Sequence, residues 1–360
     1  MKIAIGAGGS GSIGNSWEQM VEFVVEAEKL GVDAVWTAEA WGMDAATTAA
    51  FLAARTNKIQ IGTGIMIVTA RPPAMTAMTA LSLATMSGNR FSLGLGSSGP
   101  QVVEGLHGWR FGKPVSRMRE HIEIVQKAFR GEKLDYDREF YKMPLDESEG
   151  KPLRLAQPAN RHIPIYLATL SPKALQLTGE LADGWLAQSF TPEGAEPFIK
   201  HLKAGAQKID RNFDDLDLQG GGFVDFGDDM DRLIAKRKEK VAFRLGAMGS
   251  KEHNFFNDAF RRAGFEESSR HVQSLWLQGK REAAVLAVPD DLVTRSNLLG
   301  TREMVKERVR VYQAVGINTL RVDPEGSNLQ QRLDTLGQVV EIVAEVSKET
   351  SRKKAGTLPE

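Results

Sequence analysis

The stretch Leu30-Gly31-Val32-Asp33-Ala34-Val35-Trp36 decides the fold. Before it, Met20, Phe23, Val24, Ala27 and Leu30 recur on one helical stripe, which stops at Gly31, the residue type that best takes the left-handed backbone of a helix end. A short apolar strand follows at once. The same joint returns as Val315-Gly316-Ile317-Asn318-Thr319-Leu320-Arg321, and more loosely as Leu181-Ala182-Asp183-Gly184-Trp185-Leu186. Helix-to-strand joints recurring between complete β/α units are the mark of a wound parallel sheet or barrel.

Outward from these joints, strands are predicted at Lys2–Ala7, Ala34–Ala38, Ile59–Val68, Arg90–Gly96, Ile163–Leu170, Gly184–Gln188, Gly221–Phe226 and Thr319–Val322. Eight strands alternating with helices predict an α/β fold, a (β/α)8 TIM barrel forming a single domain over residues 1–348. Two segments exceed the basic unit. Residues 100–160 hold a helix, Val115–Arg130, and then a polar insertion (131–160) in which Leu134–Met143 reads as a hairpin. Residues 229–300 form a long, charged, helical insertion after strand seven, at the end of the barrel where lids sit, and are predicted to cover the pocket. Residues 349–360 read as a flexible tail, frayed after Ser347. Helices 45–54 and 73–86 are small and apolar nearly all round, where a barrel helix should have one wet face. They predict a homodimer interface, the alternative being burial beneath the insertions.

Lys plus Arg equals Asp plus Glu, 46 each, so the chain has no overall field for nucleic acid or an anionic membrane. The absence of cysteine removes disulfides, thiolate metal sites and a cysteine nucleophile. No apolar run approaches membrane-spanning length, and the chain starts directly as a strand, so the expected location is the cytoplasm. The six histidines are dispersed without ligand-like spacing, so no metal site is expected, which counts against a metal-dependent barrel hydrolase. A non-catalytic binding role has no positive feature in its favour. Gly6-Ala7-Gly8-Gly9-Ser10-Gly11 matches the dinucleotide-binding glycine pattern, but the better helix start, the capping box Ser16-Trp17-Glu18-Gln19, comes too late for it.

Phe91 to Gly105 reads as a strand, a polar loop from Gly96 to Gly99, and a short helix opened by Pro100 with Gln101, Glu104 and His107 on one face. Hydroxyls, bare amides and a carboxylate at a strand end make a ligand floor; the plain alternative is a glycine-rich barrel strand and an ordinary turn.

Several stretches together resemble the bacterial-luciferase-like (LLM class) superfamily of flavin- and deazaflavin-dependent enzymes, and within it the coenzyme F420-dependent oxidoreductases. They are Thr37-Ala38-Glu39-Ala40-Trp41-Gly42, Ile61-Gly62-Thr63-Gly64-Ile65, Arg90–Gly96 with Ser98–Gly105, Phe111-Gly112-Lys113-Pro114, Pro164–Ala168, Gly179–Trp185 and Leu299-Gly300-Thr301. The ordered set spans nearly the whole chain. The resemblance implies a usually dimeric (β/α)8 barrel with a long late insertion. It implies coenzyme F420 as cofactor, with FMN and an oxygen-activating monooxygenase as the alternative, and hydride transfer to or from a small organic substrate. Gly64-Ile65 matches the place where relatives hold a non-proline cis peptide behind the deazaflavin. Ser97, Ser98 and Gly99 match the loop bordering the cofactor. Thr169, Leu170 and Ser171 match the segment near its phosphate, where amides at a helix N-terminus favour an anion. Arg161, His162 and Lys173 are basic groups available to its tail. Glu39 stands where many relatives have an Asp-His pair, and Gly99 where some have a catalytic glutamate. The missing imidazole leaves Glu39 as first candidate for the catalytic proton donor or acceptor and Glu104 as second, with Glu39 also able to hydrogen-bond the cofactor. Trp41 and His107 are candidates for the substrate pocket.

Overall fold

The computed structural model describes residues 1–8, 16–249 and 253–355. Local signals close each unit. The Ser16 hydroxyl caps α1 (Trp17–Lys29) by accepting from the Gln19 amide at 3.2 Å, and Gly31 turns the chain at φ 91° into β2 (Ala34–Thr37). The first described helix thus opens at Ser16. Of the glycine pattern, Gly9, Ser10 and Gly11 lie outside the described residues. β1 (Lys2–Ala7) precedes this unit. After it come α2 (Ala45–Arg55), β3 (Gln60–Thr63), β4 (Met66–Ile67), α3 (Pro73–Met86) and β5 (Phe91–Gly96). The first long excursion holds α4 (Pro100–Gly105), α5 (Pro114–Phe129) and the predicted hairpin, β6 (Tyr136–Asp137) with β7 (Lys142–Met143). Then follow β8 (Ile165–Leu167), α6 (Pro172–Leu181), β9 (Gly184–Leu186), α7 (Glu196–Gln207) and β10 (Asp217–Phe226). The late insertion contains α8 (Met230–Gly246), α9 (Phe255–Phe260), α10 (Glu266–Leu277), α11 (Arg281–Leu286) and α12 (Asp290–Arg295). The chain ends with β11 (Leu298–Gly300), α13 (Arg302–Ala314), β12 (Thr319–Pro324) and α14 (Leu329–Ala355).

The strands close a parallel barrel in the order β1-β2-β3-β5-β8-β9-β10-β12, with β12 returning to β1. This is the predicted (β/α)8 TIM barrel. Four details differ from the prediction. The third strand is not continuous over 59–68: it breaks at Gly64-Ile65, and β4 resumes the pairing with β5. β10 begins earlier, at Asp217, because its first residues pair with β9. β11, absent from the sequence tally, pairs with the far end of β10 as the chain returns from the insertion. Finally, α14 runs through Ser347 to Ala355, so a helix occupies the start of the expected tail. Glu349 joins Lys306 and Arg310 of α13 there, and Thr350 donates to Gln313. Residues 356–360 lie outside the described set.

Register decides which side chains enter the barrel, since partners across parallel strands point the same way and neighbours alternate. Ala4 stands opposite Ala34 and Arg321, Trp36 opposite Gly6 and Gly62, and Tyr166 opposite Gly94 and Gly184. The lower interior is filled by Trp36 edge-on to Tyr166 at 4.9 Å, with Ala4 and Leu186 buried beside them. The opposite faces of the strands, including Ile3, Ile5, Val35, Ile61, Leu93 and Trp185, form the main core under the helices. The insertion carries its own core around Leu233, Leu245, Phe260, Val272 and Leu292. α5 covers part of α3, but Met75, Met78 and Met86 of α3 and Phe51 of α2 stay exposed.

Candidate active site

Above Trp36 the barrel interior turns small. Gly6, level with Trp36 on β1, and Ala38, Gly64, Gly96 and Ala168, at or just past the ends of β2, β3, β5 and β8, follow one another around the C-terminal mouth. A Cβ built on Gly6 meets nothing within 4 Å among the described residues, so the wall is open there. At Gly94, by contrast, a Cβ would lie 1.8 Å from the Thr63 carbonyl oxygen, so β3 and β5 pass in direct contact. The Thr63 hydroxyl seals that contact by donating to the Gly94 carbonyl at 2.9 Å and accepting from the Gly94 amide at 3.0 Å. The Gly64-Ile65 peptide is cis, as the resemblance implied. Between the pairs Gly62–Ser92 and Ile67–Gly96 the third strand carries one residue more than β5, a bulge that turns Ile65 over Gly96. The Trp36 ring lies on Gly62, and its buried Nε1 has no partner among the described residues.

Glu39, two residues past β2, lies beside this bulge, and both its oxygens are engaged. Arg71 Nη1 donates to each at 2.8 Å, the Ile67 amide donates to Oε1 at 3.1 Å, and the Ala45 amide approaches Oε2 at 3.4 Å. The other Arg71 nitrogen pairs with Asp44, which caps α2 by accepting from the Thr47 amide at 2.7 Å. Burial alone would raise the Asp44 pKa, but Thr47 and Arg71 outweigh it and hold the carboxyl below its usual range. Arg71 has no motif around it. Its role appears only when the loop after β4 folds back onto β2.

The neighbouring wall, on β10 and β12, is charged. Register turns Phe223 of β10 and Arg321 and Asp323 of β12 inward. From α8, Arg237 and Lys240 cover the Phe223 ring at 4.5 and 4.3 Å, and Arg237 is held by Glu325 and Asp225. Asp323 is open to solvent yet surrounded by protein; burial raises its pKa against the pull of Arg332, Lys240 and Arg237. Arg321 is pushed down to about 10 by burial and by the neighbouring Arg244. Sequence reasoning missed this wall. Its signal is the alternation in Thr319-Leu320-Arg321-Val322-Asp323: charges on a strand buried on both faces belong to a site or are very costly.

The other predicted residues distribute unevenly. Ser97, Ser98 and Gly99 leave β5 at the mouth, with Ser98 in the left-handed region at φ 56°. Ser171 opens α6 without a side-chain cap bond, and Lys173 sits in the first turn. Leu170 is half-buried between them and β8. The Thr169 hydroxyl turns away from the mouth and bonds Thr178 at 2.6 Å. Glu104 is exposed and accepts from the Phe111 amide at 3.0 Å, tying α4 to the next loop. Trp41 is exposed on the loop after β2, and His107 Nε2 is buried without a partner among the described residues. Arg161 and His162 precede β8 and so lie at the opposite end of the barrel, which corrects their expected place near the cofactor's tail. No group of three or more His, Cys, Asp or Glu among the described residues could hold a metal ion.

Residues 2–319 match the family model of luciferase-like monooxygenases. The chain belongs to this family. Among its luciferase-like relatives, a Mycobacterium tuberculosis protein, by name a coenzyme F420-dependent oxidoreductase, is 36% identical over 86% of this chain and 92% of its own. The 5,10-methylenetetrahydromethanopterin reductase of Methanolobus tindarius is 27% identical over 87% of this chain and 93% of its own. The solved structure of the coenzyme F420-dependent tetrahydromethanopterin reductase from Methanopyrus kandleri has the same luciferase-like fold. Its TM-score is 0.75, with 20% identity over 94% of this chain and 97% of that one.

Proposed function

We propose that this luciferase-like enzyme is a coenzyme F420-dependent oxidoreductase that moves a hydride between the deazaflavin and a small organic substrate. One observation carries the reading: a cradle of Gly6, Ala38, Gly64, Gly96 and Ala168 at the barrel mouth, open where a Cβ on Gly6 would stand and backed by the bulge at Gly64-Ile65. A flat ring fits such a wall because it is built of small residues, with Trp36 packed at Gly64 and Ile65 over Gly96. Kinship with the mycobacterial relative supports F420 over FMN.

In this reading Gly64 and Ile65 back the ring, and Ser97, Ser98 and Gly99 border it. The amide end of α6, with Ser171, Leu170 and Lys173, receives the phosphate, while Thr169 steadies α6 through Thr178. When bound, the deazaflavin supplies the electronic work of hydride transfer. Glu39, its oxygens taken by Arg71 and two amides, acts as a positioning residue that holds the bulge against α2. Proton handling falls to Asp323, which faces the mouth with no hydrogen bond among the described residues and a raised pKa. Glu104 anchors the loop after α4 through the Phe111 amide, and His107 and Trp41 line the substrate side. The exposed Met75, Met78, Met86 and Phe51 on α2 and α3 support a homodimer through these helices, which light scattering on the eluted protein checks.

Titration with F420 and, separately, FMN, followed by cofactor fluorescence, tests the assignment. Saturable F420 binding with weaker FMN binding is expected. Tight FMN binding without F420 binding would overturn it in favour of an oxygen-using monooxygenase.

A further inference from the structure

Two arginines at the barrel mouth lack a side-chain partner among the described residues. Arg321 enters by register, opposite Ala4 and Gly221. Arg244 comes from the insertion: Arg237, Lys240 and Arg244 share one face of α8, and the first two are seated on Phe223, an inward-facing residue. The third continues that face, close enough to Arg321 and Asp323 to feel both charges. Neither guanidinium has a hydrogen bond or ion pair among the described residues. The contrast is local, because Arg237 beside them is held by Glu325 and Asp225, and Arg71 across the mouth by Glu39 and Asp44.

Two like charges side by side inside a protein are unfavourable unless an anion joins them. Asp323, the carboxylate next to Arg244, touches neither, and Lys240 adds to the positive side. Guanidinium forks match the planar oxygens of a carboxylate and the tripod of a phosphate, and partial desolvation strengthens both contacts.

We propose that the substrate carries an oxyanion, a carboxylate or a phosphate, which Arg321 and Arg244 grip at the barrel mouth on the charged wall of β12 and α8 that flanks the glycine-lined cradle. This rests on the F420 reading, which places the cofactor in the cradle and its own phosphate at α6, away from these arginines. The two guanidiniums would then fix the reacting carbon between the ring and Asp323.

The test is calorimetric titration of the F420-loaded protein with inorganic phosphate and, separately, with acetate, in the wild type, Arg321→Gln and Arg244→Gln. One of the two anions is expected to bind, which also distinguishes phosphate from carboxylate recognition. Each substitution is expected to weaken that binding by about tenfold or more while leaving F420 affinity within about threefold. Binding of neither anion, or binding unchanged in both variants, overturns the proposal. So does an equal loss of F420 affinity, which would assign the arginines to the cofactor. Should a variant not fold, phenylglyoxal labelling of the wild type with peptide mass mapping decides. Protection of Arg244 and Arg321 by the bound anion supports the proposal, and unchanged labelling overturns it. If the protein binds no F420, the functional reading fails, while anion titration of the unloaded protein still judges the arginines.

Discussion

Arg71 sets one guanidinium nitrogen 2.8 Å from both oxygens of Glu39, and so ties the loop after β4 to the end of β2 at the edge of the cradle. The pair is largely shielded from water, with Glu39 side-chain exposure of 9%. Removing the cation alone therefore strands a carboxylate. Arg71→Met is expected to lose about 3 kcal/mol or more in urea unfolding and to weaken F420 binding. The double variant Glu39→Gln, Arg71→Met should recover part of the stability, because the shielded Glu39 charge is gone and Asp44, which also loses Arg71, is more exposed and keeps the Thr47 amide. A double variant no more stable than Arg71→Met would show that the pair does not act through charge.

Gly6 separates stability from ligand binding. Its Cβ position is vacant, so Gly6→Val is expected to change unfolding stability by less than about 1 kcal/mol. The added methyls would stand where a flat ring must lie, so F420 affinity should fall by about tenfold or more. Full retention of F420 binding in a folded Gly6→Val protein would remove the cofactor from this wall.

Gly94 behaves oppositely. A methyl there would overlap the Thr63 carbonyl oxygen at 1.8 Å, and backbone cannot step aside as a side chain can. Gly94→Ala should therefore cost about 3 kcal/mol or leave the protein insoluble, as read by denaturant unfolding and yield. A stable Gly94→Ala protein would mean that β3 and β5 do not touch in this way.

His121 predicts an acid-sensitive core. It is buried between α3 and α5, with Nε2 3.1 Å from the Thr76 hydroxyl and Nδ1 3.3 Å from the Tyr141 hydroxyl, and burial drives its pKa down to about 3. The folded protein keeps it neutral while the unfolded chain takes up a proton near 6.5. This contribution is thus whole above pH 6.5 and declines as the pH falls toward the folded value, by about 2 kcal/mol at about pH 5. Urea midpoints measured across that range should fall for the wild type and be flatter for His121→Asn. Equal slopes in the two proteins would contradict the assignment.

The sequence was most readable where structure is local. Ser16 as a cap, Gly31 as a helix end and the paired joints at Leu30–Trp36 and Val315–Arg321 are signals within one turn of chain, and they sufficed for the barrel. The hairpin of β6 and β7 was equally visible. Half of the site was legible for a different reason: the glycines of β3 and β5 mark backbone approach whatever surrounds them, and their order resembles one family. The continuous third strand was misjudged because Ile59–Val68 is apolar on both sides of the break, and the bulge shows only against β5.

By itself, then, the sequence determined the eight-stranded architecture, the family and the glycine wall, because capping, periodicity and missing side chains act over short range. Only the tertiary structure decided which charges pair and which do not. It joined Glu39 to a distant Arg71, turned Thr169 away from the mouth, sent Arg161 and His162 to the wrong end of the barrel, and brought Arg244 beside Arg321. Those outcomes depend on strand register and on where an insertion lands, which set distances between residues far apart in the chain and leave no trace in local pattern.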